Sequence, residues 1–391
     1  MGFGGAETLA HDLAVAVRAK GPRTNIICLD SITREVTSLA GRGIPVELVK
    51  RGTGSFDPGT YIRLVRRLKI LGTTLIHAHD MSSLDYAVPA GFWLRAPVIM
   101  TEHSRHYIEE RLRRRLEKRA LCLGISVLVE VSGELAKASR QDGVSPEKIT
   151  VIENGVDVER FSLARRDRLR AELGVGADSV LAGMVGRLEE IKGPQILLES
   201  FIRMAARYPA AQAHLVFAGD GSLRATLEAR AKALGLENRV HFLGSRADVP
   251  EIMAGLDILV LPSLSEGLPF ALLEGMAAGR AVVASSVGAV PDVLGNGCAL
   301  GLGKKEGPAA PGNRTKEALS AINIWDRGVL VEPANPAMLA DVLAALARDP
   351  KGRACLGLAA KAHVARHYGK QTMVERYVAV YARALSGRRA S

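Results

Sequence analysis

At 391 residues the chain exceeds one ordinary domain, and its 48% hydrophobic content is enough to fill two cores. The formal net charge of +11 calls for an anionic partner, but aromatics at 4% and the lack of any zinc-finger or RNP-type pattern exclude a nucleic-acid platform built on base stacking. Four scattered cysteines, Cys28, Cys122, Cys298 and Cys355, exclude a zinc ribbon or disulfide framework and suit a reducing compartment, and the lack of a long apolar run or a charged-then-apolar leader predicts a cytoplasmic protein.

In chain order, the first feature is Gly2-Phe3-Gly4-Gly5-Ala6-Glu7, which reads as a loop running into a helix. It stands directly behind Met1, so the strand that ordinarily feeds such a loop is expected to be missing from the first sheet. Short apolar strands follow at 24–29, 45–49, 74–79, 97–101, 126–131 and 149–152, with helical patterns between several of them. A second set runs at 179–185, 213–218, 240–243, 257–261, 281–285 and 328–331. Strands alternating with helices predict parallel, doubly wound α/β sheets. Two sets predict two facing Rossmann-like domains, with the active site in the inter-domain cleft at the carboxyl ends of the strands. The break falls within 161–178, where Arg165-Arg166-Asp167-Arg168 and the turn at Gly174 and Gly176 separate the sets, giving domains at 1–165 and 166–367. Residues 295–325, with clustered Gly, Lys and Pro, read as a flexible basic insertion.

The sharpest chemical signal is Pro262-Ser263-Leu264-Ser265-Glu266-Gly267-Leu268-Pro269-Phe270-Ala271-Leu272-Leu273-Glu274-Gly275. A buried strand runs into a glycine turn, and Pro269 suits the first position of a helix, which puts Glu266 in the loop and Glu274 in the second helical turn. At about 1.5 Å per helical residue the two carboxylates stand about 12 Å apart along the axis, far enough to hold two ends of one long polar ligand. Between them, the backbone N–H groups of Gly267, Leu268 and Phe270 are expected unpaired at the positive end of a helix dipole, where a diphosphate fits without a metal. The plainer alternative makes Glu266 a cap and Glu274 a solvated helix residue. Gly186-Arg187-Leu188-Glu189-Glu190-Ile191-Lys192-Gly193 follows the strand at 179–185, so the Arg187 fork and the Lys192 ammonium are placed to neutralise the same diphosphate.

Two further patterns carry alternatives. His77 and His79 share one strand face and, with His103 and His106, imitate the ligand set of a metal hydrolase, although no acidic ligand pattern accompanies them. Residues 61–70 interleave Arg63, Arg66, Arg67 and Lys69 with Ile62, Leu64, Val65 and Leu68, and 111–119 form a second basic run. Such helices either lie on an anionic membrane surface or are simply solvated.

Gly4-Gly5-Ala6-Glu7, His77-Ala78-His79-Asp80, Thr101-Glu102-His103, Val131-Ser132, Asn154-Gly155-Val156-Asp157, Gly186-Arg187-Leu188 with Lys192-Gly193, Gly219-Asp220-Gly221, Glu266-Gly267 with Glu274, and Gly288-Ala289-Val290-Pro291-Asp292 follow one another over nearly the whole chain. In these pieces and their order the sequence resembles the family 4 retaining glycosyltransferases of the GT-B fold. The resemblance implies an acceptor-binding first domain, a nucleotide-sugar-binding second domain, and a C-terminal helix, 368–391, that returns to the first. It implies that Arg187 and Lys192 bind the donor diphosphate, Glu274 the ribose hydroxyls and Glu266 the hydroxyls of the transferred sugar. It also sets His103 beside the sugar and turns the Gly4-Gly5 backbone toward the phosphates. Retention would follow from front-face attack, with a donor phosphate oxygen taking the acceptor proton. Arg187, Lys192, Glu266 and His103 are thus the catalytic candidates.

The expected substrate is a nucleotide-diphosphate sugar carrying a hexosyl-type group, and the expected acceptor a glycan or lipid-linked molecule of cell-surface polysaccharide synthesis. That acceptor makes a peripheral position on the cytoplasmic membrane face part of the expectation. No Asp-x-Asp occurs, so neither a metal nor another cofactor is expected, and nucleic acid is not a partner. Three rivals remain. A dinucleotide-dependent oxidoreductase would use the Gly2–Glu7 loop with Asp30, but Glu7 occupies its third glycine position. A glycoside hydrolase would need Glu266 and Glu274 to converge on one bond, about 5–10 Å apart. A catalytically inactive nucleotide-sugar binder would keep Arg187 and Glu274 without turnover.

Overall fold

The structure is a computed structural model that describes residues 5–32, 43–52, 56–104, 112–208, 212–295 and 323–387. The chain divides into two compact units, Phe3–Asn154 with Gln371–Ser391, and Gly155–Lys370. The first unit begins with α1 (Gly5–Ala19), β1 (Ile26–Cys28), β2 (Val46–Leu48), α2 (Pro58–Ile70), β3 (Ile76–His79), α3 (Met81–Leu94), β4 (Val98–Glu102), α4 (Leu112–Leu123), β5 (Val127–Glu130), α5 (Gly133–Gln141) and β6 (Ile149–Val151). The second contains α6 (Val158–Ser162), α7 (Arg166–Leu173), β7 (Val180–Val185), α8 (Pro194–Arg207), β8 (Ala213–Ala218), α9 (Arg224–Ala233), β9 (Val240–Gly244), α10 (Val249–Gly255), β10 (Ile258–Leu261), α11 (Phe270–Ala277), β11 (Ala281–Ser285), α12 (Val290–Leu294), β12 (Asn323–Trp325), β13 (Gly328–Val331), α13 (Pro336–Arg348) and α14 (Pro350–His367). The last helix, α15 (Lys370–Gly387), rejoins the first unit.

In the first unit, β1 and β2 form a parallel pair, and β3, β4, β5 and β6 form a parallel four-stranded sheet in that order. All residues of β4 and β5 are buried, as expected of central parallel strands covered on both faces. Met100, Leu128, Val98 and Leu84 form the core there, and each such side chain taken fully out of water contributes about 1.5–3 kcal/mol. Helix α3 lies directly on β4, since a Cβ on Gly91 would stand 2.3 Å from Val98. Helix α2 starts where Asp57 accepts hydrogen bonds from the Gly59 and Thr60 amides, with Pro58 in its first turn. From α15, the Tyr377 hydroxyl meets Thr101 Oγ1 at 3.2 Å and the Tyr381 hydroxyl meets His77 Nδ1 at 2.7 Å.

The second unit is built on a seven-stranded sheet ordered β12-β13-β11-β10-β7-β8-β9, parallel except for β12. From β7 the chain winds outward to β8 and β9 on one side, then crosses back to β10, β11 and β13 on the other. That makes the β7/β10 boundary the point where connections diverge, and open α/β sheets bind ligands outside the strand ends there. Leu197, Leu198 and Phe201 of α8 and Leu343 of α13 fill one face. On the other face α11 approaches β10 closely, since a Cβ on Gly275 would lie 2.2 Å from Leu259.

The predicted α/β class with parallel sheets is what the chain adopts, and the strands at 213–218, 281–285 and 328–331 coincide with those predicted. Two local expectations are corrected. Pro269 is the cap before α11 rather than its first helical residue, with ψ at 129° in the extended region. Asn323–Trp325, placed in the flexible insertion, is an antiparallel edge strand on β13; residues 296–322 of that insertion lie outside the described residues. No helix among the described residues is long and apolar enough to cross a membrane.

Candidate active site

In the second unit the loops after β7, β8, β10 and β11 are fastened to one another by backbone. The Leu188 amide donates to Asp220 O at 2.9 Å and the Leu223 amide to Leu188 O at 3.0 Å, tying the β7 loop to the β8 loop. The Glu189 carboxylate adds Ser222 N at 3.0 Å and Ser222 Oγ at 2.6 Å, bonds that hold its pKa below the usual range. The Leu264 amide donates to Ile191 O at 2.9 Å, and the Ala289 amide to Gly267 O at 3.0 Å, which brings in the β10 and β11 loops. Two glycines are required by this stitching. Gly193 (φ +67°) presents its Cα where a Cβ would be 2.2 Å from Pro262 O, and Gly288 (φ +55°) where one would be 2.1 Å from Glu266 O.

The side chains follow from these loops. Lys192 ends the short turn Glu190–Lys192, and its Nζ lies 2.7 Å from both carboxylate oxygens of Glu266. Ser263 Oγ donates to Glu266 Oε1 at 2.7 Å. The Glu266 side chain is 6% exposed and that of Lys192 is 24% exposed, so the carboxylate is sunk and the ammonium partly open. Arg187, half-buried two residues past β7, has no hydrogen bond or ion pair among the described residues; its nearest electrostatic effect is on Glu189. The β7 loop thus carries two cationic side chains, Lys192 paired with Glu266 and Arg187 unpaired among the described residues.

Gly267, Leu268 and Phe270 are buried at the amino end of α11, where Phe270 is the first helical residue; Leu268 is engaged within the protein. Glu274 is half-buried in the second turn, as expected. The sequence reading assigned Lys192 to the phosphates and Glu266 to the sugar; it did not foresee that they would bond each other. Their contact depends on β7 and β10 being neighbours, although the two residues are 74 positions apart.

In the first unit, His103 lies just past β4, beside His79 at the end of β3. The His79 Nδ1 and His103 Nε2 atoms are 3.0 Å apart, and Asp80 Oδ1 accepts from the His103 amide at 3.0 Å. Asp80 holds φ at 64°, unusual for a side chain other than glycine and the kind of local strain that clusters at functional sites. Burial and the neighbouring His103 hold His79 down to about 3, and burial holds His103 down to about 4, so both rings are neutral at physiological pH. His77 lies against His79, with ring centroids 4.3 Å apart, and its nitrogens meet the Tyr381 hydroxyl and, at 2.8 Å, Thr101 Oγ1. The three rings lie together, but their nitrogens bond one another or hydroxyl groups, and among the described residues no group of three His, Cys, Asp or Glu could hold a metal ion. His106 and Gly4 lie outside the described residues, and Gly5 opens α1.

Sequence reasoning missed a buried ionic cluster behind His103. Lys118 of α4 bonds Glu102 and, at 2.7 Å, Ser139 Oγ, while Ser139 bonds Glu130. Glu102 and Glu130 sit side by side in the β4/β5 register. Burial, then the Glu102 charge, push Glu130 well above its ordinary range. Its signal was visible as a glutamate ending each of two strands that are otherwise apolar apart from Thr101.

Residues 3–160 match the profile of Glycosyltransferase Family 4, and residues 179–349 match Glycosyl transferases group 1. The chain belongs to the group 1, family 4 glycosyltransferases. This is a family of retaining hexosyltransferases that use nucleotide-sugar donors. The glycosyltransferase is 27% identical over 300 residues to the putative glycosyltransferase EpsF of Bacillus subtilis, covering 73% of this chain and 77% of that one. It is 27% identical over 381 residues to the D-inositol 3-phosphate glycosyltransferase of Corynebacterium diphtheriae, covering 90% and 81%. Among solved structures it is similar to Anabaena HepE in complex with UDP-glucose, with 25% identity, a TM-score of 0.76 and coverage of 98% and 96%. WaaG, a glycosyltransferase involved in lipopolysaccharide biosynthesis, shares the fold at 18% identity and a TM-score of 0.68, over 97% of each chain.

Proposed function

We propose that this glycosyltransferase moves a hexose, with retention, from a uridine-diphosphate hexose to a glycan or lipid-linked acceptor of a cell-surface polysaccharide. The Lys192–Glu266 pair at the β7/β10 boundary carries the reading. In a nucleotide sugar the β-phosphate and the sugar are adjacent, so a cation for the phosphate and a carboxylate for the sugar hydroxyls belong side by side. Arg187 completes the diphosphate grip, Glu274 takes the ribose at the far end, and the α11 amino end, with Gly267, Leu268 and Phe270, faces the phosphates. His103, with Gly4 and Gly5 of the first unit, keeps the sugar-side and phosphate-side roles that the sequence resemblance gives it. The bond from the sugar C1 to the β-phosphate oxygen breaks as the bond from C1 to the acceptor oxygen forms on the same face. The acceptor proton passes to a donor phosphate oxygen. The protein's share is electrostatic stabilisation of the leaving diphosphate, the term that dominates such reactions. The choice of uridine is supported by the similarity to HepE, whose structures hold UDP and UDP-glucose.

The test is calorimetric titration with UDP, GDP and their hexose conjugates, followed by measurement of released nucleoside diphosphate. Binding of UDP and UDP-glucose, with slow release of UDP even in water, is expected. Preference for a guanosine donor would overturn the base assignment, and no binding of any nucleotide sugar would overturn the reading itself.

A further inference from the structure

The first unit carries a second surface, at the opposite end of its sheet from His79 and His103. Gly91 must face β4, because only a residue without a Cβ clears Val98. At 100° per residue, the next two positions of α3 are then turned away from the sheet. Arg95, with left-handed backbone (φ 52°), ends the helix and sends the chain straight back into β4. Phe92 and Trp93 are left 87% and 71% exposed.

These two rings border an open groove of about 1200 Å³ at the amino ends of β4 and β5. Among the described residues, the charged ones lining it are Arg95 and Arg383, with no carboxylate. Arg95 has no side-chain partner among the described residues, and Arg383 reaches Thr150 Oγ1 at 3.4 Å, a long and weak contact. Tyr61 of α2 lines the same groove, and α2 exposes Arg63, Arg66 and Lys69.

We propose that this surface seats the protein on an anionic lipid bilayer, with Phe92 and Trp93 entering the boundary between headgroups and acyl chains and Arg95 and Arg383 set against lipid phosphates. The groove these rings border is open and they stand well out of it, and a bilayer takes up protruding apolar groups without needing a complementary shape. Aromatic side chains with a polar edge settle at the headgroup level, and arginine keeps its guanidinium at the phosphates while its stem lies among apolar groups. The all-positive lining and the net charge of +11 select anionic over neutral lipid. Sequence alone places docking on the basic helices; the structure adds the aromatic pair that would enter the bilayer. Contact through the amino ends of the strands leaves the histidines at their carboxyl ends uncovered.

The chain has two tryptophans, so Trp325→Phe makes Trp93 the sole reporter. With vesicles of equimolar phosphatidylglycerol and phosphatidylcholine, Trp93 emission should shift to the blue and be quenched by lipids brominated along the acyl chain. Vesicles of phosphatidylcholine alone should do much less. Phe92→Ser/Trp93→Ser should lower partition onto the anionic vesicles, read by co-sedimentation, by at least about tenfold. Arg95→Gln/Arg383→Gln should also weaken it and flatten its dependence on salt. UDP binding, measured on the same variants, should not change, which separates this proposal from the donor assignment. It is overturned if Trp93 shows neither shift nor quenching, if the serine variant partitions as wild type does, or if Trp93 is protected by self-association without lipid.

Discussion

The most informative perturbation is Lys192→Met, which keeps the aliphatic stem and deletes the charge. At 2.7 Å two unit charges attract by about 6 kcal/mol at an effective dielectric of about 20. Desolvation of the sunken carboxylate and about 2 kcal/mol of lysine rotamer entropy offset most of that. Removing one partner of a fully buried pair costs about 3–5 kcal/mol, and because Lys192 is 24% exposed, solvent reduces the figure here to about 1–2 kcal/mol. Urea unfolding of Lys192→Met should show that loss, and Lys192→Met/Glu266→Gln should recover most of it. UDP binding must behave differently. It should weaken by about 2 kcal/mol or more in Lys192→Met and stay weak in the double variant, because the phosphate loses its cation in both. Restored UDP affinity in the double variant would refute the reasoning: Lys192 would then serve Glu266 alone.

Glu274→Ala should weaken free UDP by about 1.5–3 kcal/mol, whereas Glu266→Ala should leave free UDP nearly unchanged while lowering transfer; equal losses in calorimetry would show that the two carboxylates serve one end of the ligand. Glu130 has a folded pKa raised above its ordinary 4.5, so its contribution is full below that pH and is lost as pH rises through the folded value. Glu130→Gln should flatten the fall in urea midpoint as pH rises above the ordinary glutamate value, and an unchanged slope would point to another group. Gly288→Ala forces a Cβ toward Glu266 O and should reduce UDP affinity at least tenfold by moving the Glu266 loop, with wild-type affinity counting against the close approach. Transfer should survive excess chelator, since Arg187, Lys192 and the α11 amides supply the positive charge; complete loss restored by manganese would contradict this.

Much of the fold was legible because parallel strands covered on both faces must be short apolar runs. That is how 213–218 and 281–285 read, and the structure places strands there. Asn323–Trp325 escaped because an antiparallel edge strand of three residues makes too short a pattern to detect. Pro269 was misplaced by one residue because proline's fixed φ suits both the cap and the first turn; its ψ, in the extended region, decides. Residue types at the site were legible from their positions at strand ends. Their pairings were not, because Lys192–Glu266 and His79–His103 follow from which strands lie side by side. The Phe92–Trp93 exposure was equally hidden, since it follows from Gly91 pressing on Val98.

The backbone stitching of the four loops in the second unit also limits how this enzyme can change. Leu188 to Asp220, Ile191 to Leu264 and Gly267 to Ala289 join main chain to main chain with no side chain between them. An inserted residue in any one loop would displace its neighbours, so length variation is closed to this part of the molecule. Side chains outside the diphosphate grip remain free to vary on a frame that stays fixed. Donor preference can then drift by single substitutions, in evolution or in the laboratory, while the frame that presents those side chains is inherited intact.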